Sequence, residues 1–243
     1  QFDIIGVAEP NPIRNQRYAT THKIPAENCF LNWEEVFTRP RFADAVIIAS
    51  PDRLHVGPCL AALKAGYHVL LEKPIAPSEE ECRQILEASR ASGKIVAVCH
   101  VLRYAPYFRK LRSLIRSGAI GELISIQHLE PIEHVHMTHS YVRGNWKNST
   151  TTTPIILAKA SHDLDILRWL VGKPCTSVHA FGGLRWFRQE NAPEGSTHRC
   201  TDGCKVEEEC PYSAIKIYHK LRERTYVFDL PEDKDAQGDY IME

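Results

Sequence analysis

The sequence predicts an α/β protein whose first half is a doubly wound parallel sheet and whose second half is a further α/β region. Three observations carry this. Four short apolar runs, at residues 3–8 (DIIGVA), 43–49 (ADAVIIA), 68–71 (HVLL) and 95–99 (IVAVC), have almost no internal polar alternation. That is how strands buried on both faces read. Amphipathic stretches of helical length lie between several of them, and those stretches close on glycine, the residue that most readily takes the left-handed conformation at a helix end.

The elements follow in order. The run at 3–8 is a strand and is followed by Glu9-Pro10-Asn11. The run at 43–49 leads into Ser50-Pro51 and then His55. Residues 53–65 place Val56, Leu60 and Leu63 on one stripe and stop at Gly66. The strand at 68–71 ends in Glu72-Lys73-Pro74. Residues 79–92 form a helix that Ser78 can cap and Gly93 ends. The strand at 95–99 runs into His100, Arg103 and Tyr104, and a helix over 107–117 stops at Gly118. Strand–helix alternation of this kind is the doubly wound pattern.

The pattern changes after about residue 121. Residues 122–130 alternate as an antiparallel strand with one wet face would. Residues 131–153 are polar, rich in His and Thr, and read as a long loop. Thr153 as N-cap and Pro154 at the first position then open a helix that runs to about Val171 and ends at Gly172-Lys173-Pro174. Residues 177–187 read as a strand, 188–212 as a Gly-, Pro- and Cys-bearing insertion, and 230–243 as an acidic, weakly patterned end. There is no internal repeat and no low-complexity tract.

Composition narrows the function classes. The 243 residues are 43% hydrophobic and 25% charged, and Lys+Arg and Asp+Glu both number 30, so the formal net charge is zero. Electrostatic capture of nucleic acid or of an anionic membrane is not expected. No apolar run approaches the roughly 20 residues a membrane helix needs. No signal peptide is expected at the start. Of the eight cysteines, Cys29, Cys59, Cys82, Cys99 and Cys175 are scattered. That suits buried thiols in a reducing, cytoplasmic setting better than a disulfide framework. Cys200, Cys204 and Cys210 cluster with His198, and this set could supply the four ligands of a structural zinc; free thiols are the alternative.

The chemistry collects at strand ends, where open α/β sheets bind their ligands. Glu9 fits the acid that accepts hydrogen bonds from an adenosine ribose and repels a 2′-phosphate, which favours NAD; Arg14 nearby keeps NADP open. A surface carboxylate would look the same. Lys73 at a partly desolvated edge beside a cationic nicotinamide would have a lowered pKa, suited to proton transfer or to bonding a reacting hydroxyl. An ion pair with Glu72 is its structural alternative. Lys159, His162 and Asp165 are spaced i, i+3, i+6 on a helix whose Leu164, Leu167, Leu170 and Val171 form a separate stripe. His162 there could serve as a general base, although many helices simply have a charged face. In the loop, His134, His136 and His139 lie near Arg143 and Trp146. No carboxylate or Cys spacing completes a metal site, so a substrate-binding loop is the favoured reading, with His139 and Arg143 bonding hydroxyls or a carboxylate.

Residues 43–76, ADAVIIASPDRLHVGPCLAALKAGYHVLLEKPIA, closely resemble the core of the glucose–fructose oxidoreductase/inositol dehydrogenase/rhizopine-catabolism (Gfo/Idh/MocA) family. HDLDILRWLVG at 162–172 resembles that family's His-x-x-Asp helix, and Glu9 stands where the family has its ribose-binding acid. The resemblance covers roughly residues 3–187. It implies a Rossmann-type dinucleotide-binding domain at 1–121. It also implies a substrate and oligomerisation domain at 122–243 with a large open, mainly antiparallel sheet. It implies NAD(P)-dependent oxidation of a secondary alcohol of a sugar or polyol, in a homo-oligomer. Lys73 and His162 take the catalytic roles, with Lys159 beside them. Glu9, Asn11, Arg14, Ser50, Pro51, His55, Glu72, Lys73 and His100 line the cofactor, and Arg103, His139, Arg143, Trp146 and Asp165 meet substrate. No GxGxxG occurs, and the expectation is an incomplete sequence that opens at the family's second strand. Many members carry an Asp where this chain has Ala158. That leaves two alternatives: a redox-neutral enzyme with tightly bound NAD, of glycosidase or lyase type, and a cofactor-binding protein without chemistry.

Overall fold

The structure, a computed structural model, describes residues 2–220, the side chain of His219 excepted; the acidic stretch at 230–243 lies outside the described residues. The chain divides into two compact units. The first runs through Ile126 and takes in Asn148–Pro174; the second consists of Gln127–Lys147 and the chain from Cys175 on.

In the first unit, strands β1 (Val7–Ala8) and β2 (Cys29–Phe30) pair in parallel. Helix α1 (Pro12–His22) connects them. Asn11 caps it by accepting from the Ile13 and Arg14 amides, Pro12 stands at its first position, and Lys23 ends it at φ 56°. A short helix α2 (Trp33–Phe37) follows. The sequence pattern did not announce α1, β2 or α2. PIRNQRYATTH carries too few apolar residues to show a stripe, and a two-residue strand is too short to show a period.

Strands β3 (Ala45–Ile48), β4 (His68–Leu71) and β5 (Val96–Val98) form a second parallel sheet with β4 in the middle. Ala45 pairs with His68 and Ile48 with Leu71, and Val69 pairs with Val96. Helices α3 (Val56–Lys64) and α4 (Glu79–Ser92) connect them. Cys59, Ala62 and Leu63 of α3 and Ile85 of α4 pack with Ile48, Val69, Leu71 and Tyr67 into the core. The sequence predicts burial on both faces, and here the structure corrects it. Leu71 is fully enclosed, whereas Ile47 is 57% exposed and Leu70 37%. Adjacent strand residues point to opposite faces, and α3 and α4 cover the face of Ile48, Val69 and Leu71. Helix α4 matches its expectation to the residue. Ser78 and Glu81 form a reciprocal capping box, and Gly93 ends the helix at φ 66°. Helix α5 (Pro106–Arg116) closes through Ser117, before Gly118 at φ 72°.

Three further expectations are corrected. Residues 122–130 and 177–187 form no strand among the described residues, since neither segment finds the ladder partner that a strand requires. The single helix expected from Thr153 is two: α7 (Ile155–Ala158) and α8 (Ser161–Val171), interrupted at Lys159-Ala160. Thr153 does not cap; it is buried, and its hydroxyl and amide both donate to Asp52. In the second unit, the expected loop at 131–153 is partly helical, with α6 (His134–Met137) followed by a π-helical turn at Thr138–Val142. Among the described residues, Thr138, Ser140, Ser213, Ile217 and Tyr218 are the buried ones of that unit.

Candidate active site

Polar residues occupy the carboxyl ends of the parallel strands, and each is set by local bonding. After β1, Glu9 accepts the Asn11 amide at 2.9 Å. Asn15, buried on α1, donates to the carbonyls of Glu9 (3.1 Å) and Phe30 (2.7 Å) and so ties the ends of β1 and β2 together. Sequence reasoning missed Asn15; nothing distinguishes it in a polar helix until β2 is known. Asn11 is spent on capping α1, and Arg14 lies exposed on that helix.

After β3, the Ser50 hydroxyl donates to the Leu54 carbonyl and Pro51 is exposed. His55 is only 1% exposed. Its Nδ1 lies 2.8 Å from the Pro74 carbonyl and its Nε2 2.9 Å from the Ser50 carbonyl. Both ring nitrogens thus lie against backbone carbonyls, and the ring links the turn after β3 to the turn after β4. Asp52, also missed, is buried and receives Thr153. Arg53 donates to the carbonyls of Ser149 (2.9 Å) and Thr152 (3.1 Å). Asp52 and Arg53 thus anchor the chain entering α7.

After β4, the Lys73 amide donates to its neighbour Glu72, and Lys73 Nζ donates to the Ala158 carbonyl at 2.6 Å, the last residue of α7. Burial lowers the Lys73 pKa and Lys159 lowers it further, while Glu72 and Asp52 oppose the shift. Lys159 stands in the turn between α7 and α8, off the helix that the spacing predicted for it. It still acts on His162. Burial pulls the His162 pKa below the ordinary imidazole value, and the charges of Lys73, Lys159 and His100 add to that.

After β5 comes His100, whose ring meets that of His162 edge-on with centroids 6.5 Å apart. Burial also lowers the His100 pKa, with Asp165 opposing. Asp165 accepts hydrogen bonds from Arg103 Nε at 2.7 Å and Nη2 at 2.5 Å, and its Oδ1 lies 3.8 Å from His100 Nε2. Arg103 and Asp165 are bound to each other in a bidentate pair. Lys73, Lys159, His100 and His162 are brought together. The Nδ1 atoms of His100 and His162 and the Ser161 hydroxyl are enclosed without a hydrogen-bond partner, so this edge holds polar atoms that a ligand could engage.

In the second unit, His139 Nδ1 lies 2.8 Å from the Tyr218 hydroxyl, and Arg143 donates to the Tyr212 carbonyl while lying over the Tyr218 ring. Trp146 faces Tyr141. The possible zinc set finds no support. All three clustered cysteines are free thiols, and among the described residues His198, Cys200, Cys204 and Cys210 do not gather as a metal-binding group. Their spacing follows no recurrent zinc pattern, and Cys200 Sγ accepts the Ala214 amide.

Residues 1–100 match the oxidoreductase family with an NAD-binding Rossmann fold, and residues 108–202 match the GFO/IDH/MocA C-terminal domain. The chain belongs to the GFO/IDH/MocA family. Curated relatives include the putative oxidoreductase YteT of Bacillus subtilis, 25% identical over 98% of this chain and 55% of its own length. An inositol 2-dehydrogenase of Streptomyces avermitilis is 34% identical over 63% of this chain and 40% of its own length. The chain thus spans about half the length of the curated relatives it matches. Among solved structures, apo scyllo-inositol dehydrogenase from Lactobacillus casei superposes with a TM-score of 0.57 at 22% identity, over 70% of this chain and 47% of that one. This likeness bears on the fold. The parallel pairing of β1–β2 and of β3–β4–β5 is that of a Rossmann-type NAD-binding fold.

Proposed function

We propose that this chain is part of an NAD(P)-dependent oxidoreductase that acts on a secondary alcohol of a sugar, polyol or related small molecule. The observation that carries the reading is the convergence of Lys73, Lys159, His100 and His162 at one edge of a parallel sheet, with His162 kept neutral by burial and neighbouring cations. The names of the relatives, inositol dehydrogenases among them, support the substrate class.

The residues present fit the ribose and nicotinamide portions of a dinucleotide. Glu9 accepts from the adenosine ribose, which favours NAD, and Ser50, Glu72, Lys73 and His100 border the nicotinamide end. The bound cofactor supplies the acceptor for the hydride that leaves the alcohol carbon. His162, neutral at physiological pH, accepts the hydroxyl proton. The Lys73 ammonium, held by the Ala158 carbonyl, orients the substrate oxygen and stabilises charge developing on it. His100 fixes the His162 ring from its edge. His139, Arg143 and Trp146 are assigned to substrate binding. Exposed apolar side chains such as Ile124 (85%) and Val178 (80%) support a homo-oligomer.

Ala158 favours a second reading. In that reading no carboxylate stands there, and NAD is retained and recycled in a redox-neutral cleavage or elimination. The test is to supply NAD and a panel of polyols and aldoses to the full-length protein and follow NADH absorbance. Stoichiometric NADH supports the dehydrogenase; product without NADH supports the second reading. Neither product nor NADH with any substrate, despite cofactor binding, would sink both.

A further inference from the structure

A shallow, open depression of about 460 Å³ lies along α5 and α8, lined by Arg109, Arg112, Ser113, Arg116, Ser117 and Trp169. Among the described residues no acidic side chain lines it. Helix α5, PYFRKLRSLIR, holds four basic residues and no acidic one, in a chain whose formal net charge is zero. Arg109, Arg112 and Arg116 follow i, i+3 and i+7, so they share one helix face.

Helix-dipole stabilisation explains Arg116, which sits in the last turn. It does not explain Arg109 and Arg112, which stand earlier. The Arg112 guanidinium lies 4.0 Å from the centre of the Trp169 ring, stacked and oriented by it. Its Nε is enclosed and has no hydrogen-bond partner. Burial lowers the Arg112 pKa, and the charges of Arg116 and Arg103 lower it further. Three like charges on one face repel one another, and a donor withdrawn from water without an acceptor is unfavourable. One bound oxyanion would relieve the repulsion. Guanidinium forks match tetrahedral oxyanions in particular.

We propose that this depression is a binding site for a phosphate group, separate from the strand-edge site, with Arg109, Arg112 and Arg116 as its ligands and Trp169 as the wall that orients Arg112. The Ser113 hydroxyl borders the same space, whereas the Ser117 hydroxyl donates to the Leu114 carbonyl. The occupant is either free phosphate or the phosphate of an ester such as a sugar phosphate; the depression accommodates both.

The test is calorimetric titration of the full-length protein with inorganic phosphate and with glucose 6-phosphate. Saturating NAD keeps the nucleotide site filled, and chloride holds ionic strength constant. Saturable binding is expected, weakened at least tenfold in the Arg109→Ala/Arg116→Ala double variant and in Arg112→Gln. Both Arg109 and Arg116 are exposed, so the double variant keeps its fold, and its melting temperature without phosphate checks this. Tighter binding of glucose 6-phosphate than of phosphate or glucose assigns the ester as occupant; equal affinity for phosphate and glucose 6-phosphate assigns the free ion. No saturable binding of either, or equal affinity in the wild type and the double variant, overturns the proposal.

Discussion

The layer of β3, β4 and β5 with α3 and α4 and the second unit around Thr138–Val142 are held by different means. The first buries Leu63, Val69, Leu71 and Ile85 beneath two helices whose ends are marked in the sequence. The second encloses Thr138, Ser140 and Ser213, and its side chains meet across long stretches of chain: His139 with Tyr218, Arg143 with the Tyr212 carbonyl. Apolar area stabilises the first, and directional polar contacts order the second. The proposed chemistry is attached to the first, where a rigid strand end fixes Lys73. Rigid scaffolds position reacting groups more precisely than turns do.

This contrast can be broken by mutation. The largest effect is expected from Lys73→Ala in the full-length protein: a fall in turnover on the order of 10²–10⁴-fold with the circular dichroism spectrum preserved. Unchanged turnover would remove Lys73 from the chemistry and place the strand edge on a par with the second unit. Leu71→Ala, at a fully buried position, should cost about 2–5 kcal/mol in denaturant titration, because the cavity it leaves cannot fully collapse. Tyr218→Phe, which removes only the hydroxyl facing His139, should cost about 1 kcal/mol. A larger loss from Tyr218→Phe than from Leu71→Ala would reverse the comparison.

Two smaller effects sharpen it. The His162 pKa is lowered, and the neutral ring is the base, so activity should be full above that pKa and fall only as the pH drops through it. The acidic limb of the oxidation rate should therefore lie below the ordinary imidazole value. In Lys73→Met, the loss of a neighbouring cation should move that limb upward; a limb that stays in place would detach Lys73 from His162. Asp165→Asn breaks the charge-assisted pair with Arg103 and should cost about 1–2 kcal/mol, with KM little changed. A rise in KM alone would restore Asp165 to the substrate.

Legibility in the sequence follows the range of the forces involved. Helix α4 was readable because Ser78, Glu81 and Gly93 act within a turn of its ends. Strand β4 and its Glu72-Lys73-Pro74 ending were readable because a short apolar run bounded by polar residues is a local signal. The break between α7 and α8 was not, because it depends on Thr153 turning away to Asp52 and on Lys73 reaching the Ala158 carbonyl, 85 residues along the chain. The surroundings of His55 are not legible in the sequence. A sequence shows that a histidine stands in a turn but not that two carbonyls enclose it. The pairing of Arg103 with Asp165, 62 residues apart, is likewise visible only once the fold sets them side by side.

What the sequence determined by itself is the alternation of β3, α3, β4, α4 and β5, the helix ends at glycine, and the set of polar residues at the strand ends. These are local consequences of periodicity, capping and backbone freedom. Only the tertiary structure decided which of those residues meet and which are used up. It showed that one face of the sheet is covered, that His55 and Asp52 tie turns together, and that Lys73, Lys159, His100 and His162 share one edge. Those outcomes depend on pairings between distant residues, where burial and charge act through space rather than along the chain.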